Sequence, residues 1–191
     1  MKVKMEKCGQ DYIVNRKTMA ILPLVTKDNQ IISKIIEEEE EILVFKKPIE
    51  IIEQSCLFYG SSFYGRKEGT KELIDVTHKA PICISPADNL YFFSTLSYTR
   101  EECAWLSHSH VVRSKDLPHN NLLIKFSNDK TIKLAISQNS FNNQRNRTAQ
   151  LRSAFEGLKE RKTVQTFEFI RSHEIFEHAA AQDVYAAKWD E

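Results

Sequence analysis

Between Gln138 and Gln150 the chain carries four Asn and three Gln, with Arg145, Arg147 and Arg152 among or just after them. These residues lie in a window of twenty-six, Lys130 to Phe155, that contains no Asp or Glu. Carboxamide and guanidinium groups are the side chains that donate to phosphate oxygens and to base edges. Lys125, Lys130 and Lys133, Asn142 and Asn143 extend the same chemistry, and Lys159 follows it. The chemistry offered is recognition of a polyanion.

Other chemistries fare worse. Gly60-Ser-Ser-Phe-Tyr-Gly65-Arg66-Lys67 has the outline of a phosphate-binding P-loop, but Arg66 and Lys67 stand where Lys and then Ser or Thr belong. It reads instead as a glycine-hinged surface loop that presents Arg66 and Lys67 to phosphate, or as an ordinary turn. Cys103, His108 and His110 on one strand would place both imidazoles on the same face, yet two further metal ligands are missing, so no metal or cofactor is expected. No nucleophile stands with a base and an orienting group, so no catalysis is expected.

The 191 residues amount to one medium domain, or one domain with an appendage. Four cysteines without close pairing, a charged N-terminus and no long apolar run point to a cytoplasmic protein with reduced thiols. The net charge of +1 conceals segregation. From Lys125 to Arg171 ten Lys or Arg stand against four acids, a surplus of +6. A basic face on a near-neutral chain suits a nucleic acid, and alternatively a protein–protein regulatory module that meets an acidic partner.

Short strands are expected to position these groups. Met19–Val25 and Gln30–Ile36 flank a turn, and the glutamates from Glu37 to Glu41 form a solvated turn before a strand at Ile42–Phe45. Pro48 opens a helix. Glu72–His78, Pro81–Ser85, Leu90–Phe93, Cys103–Val112, Asn121–Phe126 and Thr131–Ile136 all have strand composition. The last two form a hairpin that brings Lys125 near Lys133. From Ser140 to Arg161 the period becomes helical, with Phe141, Thr148, Leu151, Phe155 and Leu158 on one stripe. Arg145, Arg152 and Lys159 recur every seven residues beside that stripe, a basic row roughly 20 Å long. Ser137, Asn139 or Ser140 caps the start. The predicted class is α+β: an antiparallel β-sheet core, a short helix in the N-terminal half and a docked C-terminal amphipathic helix. The division expected is a DNA-binding domain at 1–162 and a helical appendage at 163–191 for oligomerisation or regulation.

Several segments carry a resemblance. Ser33-Lys-Ile-Ile-Glu37 comes first, then Ser55-Cys-x-Phe-x-Gly60-Ser-Ser-x-x-Gly65-Arg-Lys-x-Gly69-Thr70, then His78-Lys79 with Pro81-Ile82, and Phe93-x-Thr95-Leu96-Ser97. Cys103-x-Trp105-x-Ser107-His108-x-His110-Val111 and Phe126-Ser127-Asn128-x-Lys130-Thr131 follow, and Ile136-Ser-x-Asn-Ser-Phe141-x-Asn-Gln144-x-x-Arg147-Thr148-Ala149-x-Leu151-Arg152-x-x-Phe155 closes the series. In this order, over roughly residues 12 to 160, the chain resembles the ComK family of bacterial competence transcription factors. The resemblance implies an activator of DNA-uptake genes that binds paired A/T-rich boxes through the minor groove. It also implies a homodimer that pairs into a tetramer, and an adaptor that delivers the protein to a Clp protease. The tail beyond Thr163 departs from the family pattern.

Overall fold

The computed structural model describes residues 7–161, so the helix expected in the tail lies outside the described residues. The chain divides into two compact units, Met1–Arg152 and Ser153–Glu191. The first unit is built on a seven-stranded sheet ordered β1-β4-β3-β2-β7-β6-β5. Its strands are β1 (Lys7–Gly9), β2 (Thr18–Val25), β3 (Ile31–Glu37), β4 (Glu41–Val44), β5 (Ile82–Ser85), β6 (Leu90–Ser94) and β7 (Trp105–Ser107). All neighbours are antiparallel except β1 with β4. The class is α+β, as predicted, but the β-structure forms two sheets. A three-stranded antiparallel sheet, β10-β9-β8, is made from β8 (Val111–Leu117), β9 (Asn121–Phe126) and β10 (Thr131–Leu134).

Alternation along the large sheet sends its side chains to two separate cores. Ile21, Ile35, Val44, Phe92 and Trp105 pack with Ile51, Ile52 and Cys56 of α1 (Pro48–Phe58) and Phe63 of α2 (Phe63–Ile74). On the other face Ala20, Ile36, Phe93 and Leu106 pack with Val111, Leu122, Ile124 and Phe126 of the small sheet and with Phe141. Phe141 belongs to a third helix, α3, whose described residues are 138–161. The large sheet is thus a partition, with α1 and α2 on one side and the small sheet and the first part of α3 on the other.

Three expectations need correction. Glycine-rich 60–71 is not a hinged loop: Arg66 and Lys67 lie in α2, which runs on through Glu72 to Ile74 where a strand was expected. Ser62 accepts the Gly65 N–H at 3.0 Å and starts the helix, and good helix formers carry it past Gly65 and Gly69. Buried Phe63 and Thr70 dock it, and Asp75 in the left-handed region ends it. Secondly, Cys103–Val112 is not one strand. The chain leaves the large sheet at Ser107, turns through 108–110 and enters the small sheet at Val111, so His108 and His110 share no strand face. The His110 ring is engaged by Ser127 Oγ at 3.0 Å and the Arg16 carbonyl at 2.8 Å. Thirdly, Glu37 is not solvated. It is 6% exposed, and its carboxylate accepts from Tyr12 Oη at 2.6 Å and Asn15 Nδ2 at 3.0 Å.

Candidate nucleic-acid interface

Strand pairing decides which cations stand together. Arg113 lies opposite Lys125, which in turn lies opposite Thr131; one step further, Lys115 lies opposite Leu123 and Leu123 opposite Lys133. Because opposed residues share a face, Arg113, Lys115, Lys125 and Lys133 all project from the outer side of the small sheet. The inner side carries Leu122, Ile124 and Phe126, each fully buried. All four cations are exposed, and no residue that the register puts on this outer face is acidic. Lys125 Nζ pairs with Asp129 at 2.6 Å in the following turn. That pairing holds the Asp129 carboxyl below its ordinary range.

Arg113 and Lys115 were not among the residues expected from sequence. Val112 and Arg113 interrupt the alternation through a bulge in β8, so the strand reads as ending at Val112. The signal that remained was Arg113-x-Lys115, a period of two continuing beyond the bulge.

Helix α3 runs along the free edge of β8. Ser137 Oγ accepts the Ser140 N–H at 3.2 Å and caps its start. Gln138 Nε2 donates to Ser114 Oγ at 2.8 Å, and Arg145 Nη2 reaches the Val111 carbonyl at 3.4 Å. Seven helical residues rise about 10.5 Å and three strand residues about 10 Å, so a seven-residue spacing on the helix matches a three-residue spacing on the strand. The helix therefore meets the first half of β8 in step, at the Ser114 hydroxyl and the Val111 carbonyl. Arg145 and Arg152 also act on the charge of His108. Burial first, and then these two guanidiniums, push the His108 imidazole below its usual range.

The inward stripe of α3 is Phe141, Gln144, Thr148 and Leu151, all buried. The Phe93 and Phe141 rings meet edge to face at 5.7 Å between centroids. Gln144 Nε2 donates to the Ser94 carbonyl at 3.1 Å. Asn142, Asn143, Asn146 and Gln150 are exposed. Asn142 Oδ1 accepts from Gln138 at 2.9 Å, which leaves its N–H groups as donors. Leu158 of the second unit is 38% exposed, so the buried stripe is shorter than the apolar period suggests.

The remaining expected residues do not join one surface. Arg147 stands on the other flank of α3, where Nη1 donates to the His78 carbonyl at 3.1 Å. Lys130 Nζ donates to the Glu37 carbonyl at 3.0 Å and ties the β9–β10 turn to the end of β3. Arg66 and Lys67 lie across the partition on α2. Arg66 Nη2 donates to the Tyr59 carbonyl at 3.2 Å, and Lys67 Nζ sits 4.8 Å from the Tyr98 ring centroid. Lys159 lies in the second unit and is exposed.

Among the described residues, no helix is long and apolar enough to cross a membrane, and no group of three His, Cys, Asp or Glu is placed to hold a metal ion. Cys56, Cys83 and Cys103 are buried free thiols.

Comparison with known proteins gives a consistent result. The model of the family described as ComK protein matches residues 9–160. The competence transcription factor of Bacillus subtilis (strain 168) is 43% identical over 161 residues, covering 84% of this chain and 83% of that protein. No solved structure matches.

Proposed function

The chain belongs to the ComK family, and from that membership we propose that it is a transcription regulator of competence that binds A/T-rich duplex DNA through the minor groove and activates genes for DNA uptake. The observation that supports this most is the outward side of α3. Asn142, Asn143, Asn146 and Gln150 are exposed there, Arg145 lies on one flank and Arg147 on the other, and no acid occurs between Lys130 and Phe155. In the minor groove an A·T pair offers acceptors only, so amide and guanidinium donors suit it. A helix about 10–12 Å across cannot enter a groove about 6 Å wide. The helix body therefore stays outside and its side chains reach in. The narrow groove of an A-tract has a deepened negative potential that draws in arginine. A homodimer or tetramer on paired boxes, a cytoplasmic location and delivery to a Clp protease by an adaptor complete the proposal.

The test is a gel shift of the full chain with A/T-rich and G/C-rich duplexes at one salt concentration. The A/T duplex should bind more tightly, and Asn142→Ala with Asn143→Ala should narrow the difference. Equal affinity for both duplexes would rule out A/T reading. Binding to neither would rule out DNA as the partner.

A further inference from the structure

Resting on the reading of the chain as a duplex-DNA binder, we propose that the outer face of β8-β9-β10 is its phosphate-contacting surface, with Arg113 and Lys115 as contacts beside Lys125 and Lys133. The face is arranged against the stability of the free protein. Arg113 lies directly opposite Lys125, and like charges in that relation destabilise an antiparallel pair, an effect that Asp129, 2.6 Å from Lys125 Nζ, offsets only in part. The side chains of Arg113, Lys115 and Lys133 make no hydrogen bond or ion pair among the described residues. A polyanion laid across the face turns this repulsion into attraction.

The dimensions favour nucleic acid over an acidic protein. Strands lie about 4.8 Å apart, so Lys115 and Lys133 stand about 10 Å apart across β9, and the Arg113–Lys125 row is about 7 Å along. Duplex DNA carries one charge per about 1.7 Å of axis, so a 10 Å length presents about six phosphates, enough to match all four cations. A protein partner would have to crowd four carboxylates into the same area. Three strands are also wider than the minor groove of about 6 Å, so the face rests on the phosphates at its rim. Leu117, Leu123, Thr131 and Asn121 are the other residues on this face, which leaves few donors for base edges. These contacts therefore bind every sequence alike, and discrimination falls to other groups such as the amides of α3.

The experiment is fluorescence anisotropy of the full chain with an A/T-rich and a G/C-rich duplex, from 50 to 200 mM salt. Arg113→Ala with Lys115→Ala should reduce the slope of log affinity against log salt by about 1.8, at about 0.9 per lost contact. Across that fourfold range the unsubstituted chain then loses about twelvefold more affinity than the variant. The A/T-to-G/C ratio should stay the same. Lys133→Ala, a single exposed change on another strand, should lower the slope by about 0.9 and serves if the double variant does not fold. If the unsubstituted chain binds DNA while both variants keep its slope, this surface assignment is wrong and the DNA reading stands. If the unsubstituted chain binds neither duplex, both fall. Loss of binding to a polyglutamate peptide, with DNA binding intact, would assign the face to an acidic protein and overturn the proposal.

Discussion

Replacing Arg113 with Glu sets stability and binding in opposite directions. In the native pairing residue 113 lies opposite Lys125 on the exposed face. The substitution converts a like-charged cross-strand pair into an opposite-charged one. Such pairs contribute roughly 0.2–1 kcal/mol when favourable and destabilise when like-charged. Lys125 already holds Asp129, and both partners are exposed, so the net gain is discounted to about 0.5 kcal/mol. For a chain of this length that corresponds to a rise in Tm of about 1–2 °C. The gain should vanish near 1 M salt, where the Debye length is about 3 Å. Binding should move the other way, because one phosphate contact is lost and an acid is placed against the backbone. At 0.1 M salt the loss should be on the order of tenfold or more. Circular dichroism melts at low and high salt, paired with anisotropy titrations, read both quantities. A lower Tm at low salt would show that residue 113 does not face Lys125. Unchanged affinity would show that the face does not touch DNA.

Other changes probe the elements that support this face. Phe141→Ala should cost about 3–5 kcal/mol in urea unfolding, because Phe141 is 0% exposed and packs on Phe93; a cost under about 1 kcal/mol would mean that α3 is not docked there. Lys67→Ala should leave the salt slope of DNA binding unchanged, because Lys67 rests on Tyr98 across the large sheet; a slope lower by about 0.9 would move the interface to α2. His108 is held below its usual pKa range by burial and by Arg145 and Arg152, so the unfolded chain binds more protons at this site and stability rises with pH. This contribution is complete above about pH 6.5 and is lost as pH falls toward the depressed folded value. His108→Asn should flatten the stability profile over that window, and an unchanged profile would place the pH dependence on another group.

How much was legible in the chain varies element by element. The α3 stripe was readable because Phe141, Thr148 and Leu151 recur at helical spacing and are buried on one side. The β9–β10 hairpin was readable from Phe126-Ser-Asn-Asp-Lys-Thr131, whose turn bonds close as expected, with Asp129 at positive φ. α2 was not readable, because Gly65 and Gly69 suggest flexibility while the contacts that hold the helix come from Trp105 and Tyr98, far along the chain. β8 was cut short at its bulge, and with it Arg113 and Lys115 were lost from the expected site.

The sequence by itself determined the α+β class, the amphipathic helix and a basic, amide-rich segment, because these depend on residue type and on spacing within one element. It also carried the family relationship, through motifs kept in order. Only the tertiary structure decided which cations stand together. Arg113, Lys115, Lys125 and Lys133 share a face through pairing between three strands, whereas Arg66 and Lys67 fall across the partition and Arg147 turns to the other flank of α3. Register between strands is set by burial of Leu122, Ile124 and Phe126 against residues remote in sequence, and a slip of one position would turn every lysine inward.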